Sequence, residues 1–249
     1  ETEHVARPRR GLPALMAAAV ETIGVVGAPV ERVDARLKVQ GRARYAFEHT
    51  ADHLAYGALV GAPIARGRVE DVDAAAALAL PGVVHVLWHA NAPALRTATG
   101  GELQVLQSPR IAYRGQIIAC VVAETLETAR EAAARLDLRC APEAHDVLLA
   151  PAHPRLFEPE VVNAGYPGRT QHGDPDTALA QADVVVDATY TTPAVHHVAM
   201  EPHAALAMWN EGSLTIYDTT QGASFERDAL AGLFGLEPGQ VRVISEYVG

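Results

Sequence analysis

The chain has 249 residues, enough for one or two compact domains, and its 49% hydrophobic and 20% charged content is that of a folded globular protein rather than a disordered or collagen-like one. Thirty acidic against twenty basic residues give a formal charge of −10, which disfavours nucleic acid and anionic membrane as partners. Two cysteines, Cys120 and Cys140, cannot supply the four thiolates of an iron–sulfur cluster or a four-cysteine zinc site.

Residues 1–30 read as an N-terminal extension. Arg7-Pro8-Arg9-Arg10 precedes an apolar run over 11–20, loosely like an export signal, but Glu21-Thr22-Ile23-Gly24 offers no small-x-small cleavage pattern. A short helix or tail packing on a neighbour is the reading. No apolar stretch approaches the roughly 20 residues that a membrane-spanning helix needs.

Gly41-Arg42-Ala43-Arg44-Tyr45 reads as a turn entering a domain, and 54–60 as a strand stopped by Gly61-Ala62-Pro63. Glu70-Asp71-Val72-Asp73 followed by alanines to Leu80 predicts a helix with acids in its first turn, ended by Pro81-Gly82. Residues 83–88 predict a strand. Ile117-Ile118-Ala119-Cys120-Val121-Val122 is apolar at every position, the pattern of a strand at a sheet centre, with Cys120 as a buried, inert thiol. A helix over 124–135 and extended chain over 136–139 complete an α+β unit.

Prolines at 142, 151, 154, 159 and 167 break any periodicity, which predicts a linker. Strands follow at 183–191, 203–209 and 214–217, the last two joined as a hairpin by Glu211-Gly212. A helix over 224–234 closes at Gly235, and a final strand is predicted over 241–248. That last region looks like half of a fold, too small to bury enough surface alone.

His196, His197, Glu201 and His203 invite a metal reading, but Pro202 breaks any helix that would align them. Histidines and a carboxylate hydrogen-bonded at a strand junction are the preferred reading, so no metal ligand is assigned. Glycine-rich dinucleotide, nucleotide and nucleophile-elbow motifs are absent from the sequence. The single lysine, Lys38, lies in a charge-rich stretch and gives no basis for Schiff-base chemistry. Thr219-Thr220-Gln221-Gly222 joins a strand to a helix, where ligands are often met. The uncharged Gln221 amide offers both donor and acceptor, and Gly222 permits close approach.

Six collinear stretches carry a resemblance: Gly41-Arg42-Ala43-Arg44-Tyr45; Tyr113-Arg114-Gly115-Gln116 running into Val121-Val122-Ala123-Glu124-Thr125; Asp187-Ala188-Thr189-Tyr190; Met200-Glu201-Pro202-His203; Thr220-Gln221; and Val241-Arg242-Val243-Ile244-Ser245. By them the chain resembles the N-terminal portion of the molybdopterin-binding large subunit of the xanthine dehydrogenase and aldehyde oxidase family, and most of all the bacterial three-subunit aldehyde oxidoreductases. The resemblance implies an α+β protein: an α/β hammerhead domain over 31–148, a proline-rich linker over 149–172, and over 173–249 the beginning of an incomplete α/β molybdopterin-binding domain. It implies that Gln221 hydrogen-bonds an oxygen of a molybdopterin-type molybdenum cofactor and that Gly249 opens the family's glycine-rich loop against that cofactor.

The family's general-base glutamate has no counterpart here, so no catalytic residue is assigned. The expected function is part of a molybdenum hydroxylase that oxidises aldehydes or N-heterocycles with water as oxygen source, inactive as an isolated chain. The expected partners are the remaining molybdenum-subunit polypeptide, an iron–sulfur subunit and an FAD subunit, in cytoplasm or periplasm. The alternative is a non-enzymatic hammerhead module serving assembly or interaction.

Overall fold

The computed structural model describes residues 27–96, 105–148, 150, 152–193 and 195–249. The expectations for residues 7–24, whether export signal or packing tail, fall outside them. In chain order the first region contains α1 (Ala35–Val39), β1 (Tyr56–Gly61), β2 (Gly67–Asp73), α2 (Ala75–Leu78), β3 (Val83–Trp88), β4 (Arg110–Ile111), β5 (Ile117–Ala123), α3 (Leu126–Ala134) and β6 (Asp137–Pro142).

The apolar run is the centre of a sheet, as its pattern predicts: β5 lies between β1 and β3, antiparallel to both. Cys120 aligns with Leu59 on one side and Leu87 on the other. Its half-buried position pushes the thiol above its ordinary pKa, so it stays protonated at neutral pH. The Thr125 hydroxyl caps α3 by accepting the Thr128 N–H at 3.1 Å. The alanines of α3 let it lie close on the sheet, Ala129 and Ala132 being wholly buried with Val121, Val86 and Ala123.

A second sheet, β4-β2-β6, is also antiparallel and closes a core of Val69, Val72, Ile111 and Ile118. Leu136 packs against both cores, which joins the two sheets into one unit. Before β5, the Gln116 amide accepts from Ala112 N–H at 2.7 Å and donates to Arg110 O at 2.9 Å. The matched Tyr113–Gln116 stretch is therefore a self-braced turn.

The helix predicted over 70–80 is corrected. Glu70 to Asp73 belong to β2, and only Ala75–Leu78 is helical. A register irregularity between Val69 and Asp71 buries both Val69 and Val72, three positions apart, so the bulge imitates helical spacing in the sequence. Asp73 acts as the stop, its Oδ1 accepting the Ala75 N–H at 2.9 Å.

From 143 to 174 the described chain has little regular structure beyond a two-strand ladder of β7 (Val161–Val162) and β8 (Tyr166–Pro167). After α4 (Pro175–Gln181) the strand predicted over 183–191 is not formed: these residues pair with no strand among those described, and Val184, Val185, Val186 and Tyr190 are exposed. β-branched composition favours extended chain, but a strand is made by its partner. Then β9 (Ala205–Asn210), β10 (Ser213–Asp218), α5 (Ala223–Phe234) and β11 (Val241–Ile244) form the third sheet, ordered β11-β10-β9.

Glu211 and Gly212, with φ of 47° and 83°, make the predicted hairpin turn between β9 and β10. α5 crosses over so that β11 runs parallel to β10, and ends at Gly235 in the left-handed conformation, φ 69°. β11 stops at Ile244, short of the predicted 248, because residues 245–249 turn away to contact other segments. The core here is Leu214, Ile216, Ala231 and Val241.

Candidate cofactor-contacting site

The loop of residues 219–222 leaves the end of β10, the central strand of the third sheet, and enters α5. Parallel β10 and β11 leave their carboxyl ends together, the edge of an α/β unit where ligands commonly bind. Hydrogen bonds fix the loop from both sides. Ser245, just beyond β11, donates its hydroxyl to Thr220 O at 3.0 Å and receives the Thr220 N–H at 3.4 Å. The Thr220 hydroxyl accepts the Gly222 N–H at 3.1 Å, and Gln221 remains exposed.

Beneath the loop lies Glu201, the one buried charged side chain among the described residues, 6% exposed. One carboxylate oxygen accepts the Thr219 hydroxyl at 2.9 Å and the other the Gly249 N–H at 2.7 Å. A single carboxylate thus joins the segments carrying both predicted cofactor contacts, Gln221 and Gly249. A Cβ on Gly249 would lie 2.9 Å from Glu201 Cβ and 3.2 Å from Tyr45 Cε1, so Gly249 occupies a space only glycine fills without displacement.

The Gly41–Tyr45 stretch contributes the roof. Tyr45 lies 5.8 Å from the Tyr247 ring, Lys38 sits 5.8 Å over Tyr247, and His49 stacks on Tyr217 at 4.1 Å. Lys38 also pairs with Asp34 at 3.1 Å, as its charge-rich stretch allows.

The preferred reading of the 196–203 segment holds for the carboxylate and fails for the histidines. Glu201 is hydrogen-bonded at the junction before β9, whereas His196, His197 and His203 are exposed. Among the described residues no three His, Cys, Asp or Glu side chains are grouped so as to hold a metal ion.

Sequence reasoning had Tyr45 and Ser245 only as members of matched stretches, with no role at the site, and did not single out the acidic pair Asp218 and Glu226. Glu226 lies in the first turn of α5; its partial burial, then the adjoining Asp218 carboxyl, push its pKa up to about 7. The available signal was an acid at the end of a predicted strand and another one turn into the following helix. Because the folded pKa is raised, the folded state binds the extra proton between about pH 4.5 and 7, and stability falls as pH rises through that window. Replacing Glu226 by Gln is expected to raise the melting temperature at pH 8 by about 2–4 °C, corresponding to about 1 kcal/mol after discounting for solvent screening. At pH 5 calorimetry should give almost no difference.

Around the exposed Gln221 the loop itself offers an amide, the Thr219 and Thr220 hydroxyls and backbone groups, with the carboxylates of Glu201, Asp218 and Glu226 beneath and beside it. Such a set fits an oxygen-rich cofactor without requiring a charged ligand from this loop.

Two family models match in tandem: the aldehyde oxidase and xanthine dehydrogenase a/b hammerhead domain over residues 40–143, and the molybdopterin cofactor-binding domain over 157–249. The chain belongs to the aldehyde oxidase and xanthine dehydrogenase family. The first two sheets lie within its hammerhead domain, and the Gln221 loop within its molybdopterin cofactor-binding domain.

Among family relatives, the aldehyde oxidoreductase molybdenum-binding subunit PaoC of Escherichia coli strain K12 is 40% identical over 235 residues, covering 92% of this chain and 31% of its own length. The nicotinate dehydrogenase large molybdopterin subunit of Eubacterium barkeri is 27% identical, covering 90% of this chain and 54% of its own. The reconstituted CO dehydrogenase from Oligotropha carboxidovorans superposes with a TM-score of 0.70 at 25% identity, covering 88% of this chain and 30% of that one. The chain therefore spans about a third to a half of the length of these curated relatives.

Proposed function

We propose that this chain serves as part of the large subunit of a molybdenum hydroxylase acting on an aldehyde or N-heterocycle, with 31–148 as hammerhead scaffold, 149–172 as linker and 173–249 as cofactor-facing region. The observation that carries this reading is the pinned, outward-facing Gln221 loop at the carboxyl edge of the third sheet, inside the region matching the cofactor-binding model. The molybdenum cofactor, when bound, supplies the redox chemistry.

This chain's own part is placement. The Gln221 amide would donate a hydrogen bond to a cofactor oxygen and Gly249 would let the backbone approach the cofactor closely, while Ser245 and Glu201 hold both segments in register. The general base and the substrate pocket belong to polypeptide corresponding to the rest of the relatives' length. An iron–sulfur subunit and an FAD subunit would be the partners that accept the electrons. The names of the relatives, a molybdenum-binding subunit and a large molybdopterin subunit, support an assembly of this kind.

The test is elemental analysis of the complex isolated from its natural source through a tag on this chain. About one molybdenum per copy is expected in the assembled complex. Its repeated absence from a fully assembled complex would replace this reading with the non-enzymatic assembly module.

A further inference from the structure

We infer that Glu201 is a positioning residue: its buried carboxylate holds the Thr219–Gly222 loop and the Gly249 backbone in one geometry, and so sets where the Gln221 amide is presented. This rests on the reading of Gln221 as a cofactor contact.

A carboxylate that is 6% exposed loses most of its hydration, and no cation pairs with it among the described residues. The Thr219 hydroxyl and Gly249 N–H, at 2.9 and 2.7 Å, are the donors seen to compensate it. Both are therefore drawn to fixed places, since releasing either leaves a buried charge undersatisfied. Thr219 lies two residues before Gln221, and the intervening Thr220 is already clamped by Ser245. The loop is thus anchored on two consecutive residues, and the next side chain is the one that projects.

Tyr45 covers the far side, close enough that a Cβ on Gly249 would collide with both it and Glu201. The hammerhead region thereby helps to exclude water from the clamp. A glutamine at 201 keeps the volume but replaces two charge-assisted bonds by neutral ones: its oxygen accepts from only one donor, and its NH2 can at best donate back to the Thr219 oxygen, so both tethers weaken without a cavity opening.

The test uses the assembled enzyme carrying Glu201→Gln, with Thr219→Val as a second variant that removes one tether and leaves the carboxylate. Hydrogen exchange is expected to accelerate about tenfold at the amides of Thr220, Gly222 and Gly249 and to stay unchanged in β1, β3 and β5, as for a local opening. Molybdenum and pterin content per subunit should fall at least about twofold. In enzyme that keeps its cofactor, kcat should fall about tenfold to a hundredfold with KM little altered, as for a contact misplaced in the transition state. The double variant should lose less than the two single effects summed, because both substitutions act on the same Thr219–Glu201 contact.

Unchanged exchange at Thr220, Gly222 and Gly249 in Glu201→Gln overturns the inference. If exchange does accelerate while Gln221→Ala keeps full cofactor content and turnover, the positioning of the loop stands and the functional reading of Gln221 falls.

Discussion

Alanine at position 67 is expected to destabilise the protein by about 4 kcal/mol, summing an overpacked contact and a strained backbone, and to lower the melting temperature by about 8–16 °C. Gly67 opens β2 at φ 151°, a conformation essentially confined to glycine. A Cβ there would stand 2.1 Å from the carbonyl oxygen of Ala141 and 2.7 Å from Ile64 Cδ1. The Ala141 carbonyl cannot give way, because Gly67 is in register with Pro142 on β6 and with Ile111 on β4, and Ile111 is wholly buried. Gly239→Ala is the control, since nothing lies within 4 Å of its added Cβ; its effect should stay within about 0.5 kcal/mol. Thermal unfolding followed by circular dichroism separates the two. Equal melting temperatures for both variants would mean that the β2–β6 ladder yields where the packing says it cannot.

Leu214→Ala should cost about 3–4 kcal/mol, within the range for deleting a fully buried leucine side chain. Leu214 is 1% exposed on the central strand of the third sheet, against Ile216, Ala231 and Val241. It also aligns with Trp209 on β9 and Val241 on β11, so the cavity touches every strand and α5. The core around Val69, Val72 and Ile111 is a separate cluster. Hydrogen exchange should therefore show β9, β10, β11 and α5 losing protection together while β1, β3 and β5 keep theirs. Uniform loss across all three sheets would show that the clusters unfold as one cooperative body. The Gln221 loop, which hangs from the end of β10, should open with its sheet.

The elements legible in the sequence were those whose signal is local. Glu211-Gly212 must turn, Gly235 must end a helix, and six consecutive apolar residues from Ile117 mark the centre of a sheet, although Ile117, Cys120 and Val122 are only half-buried there. The misread elements depend on something non-local. The spacing of Val69 and Val72 is helical in the sequence and becomes a strand because a bulge consumes one residue of register opposite β6. The run 183–191 has strand composition and no neighbour among the described residues. At the candidate site, the chemistry of Gln221 was visible from residue type and from its place before a helix. The clamp was not, because Glu201, Thr219, Ser245 and Gly249 come together only through the β10–β11 pairing and the roof from Tyr45.

The unpaired stretch after α4 has a consequence for how the molecule behaves in solution. Val184, Val185 and Val186 are 81%, 53% and 81% exposed, and three adjacent β-branched residues that pair with no strand among the described residues form the kind of adhesive edge that seeds stacking between copies. Asp183 and Asp187 bracket them, and like charges brought into register along a growing stack repel one another. Colloidal behaviour at this segment is thus governed by two carboxylates: replacing both Asp183 and Asp187 by Asn removes the guard and turns the chain toward self-association.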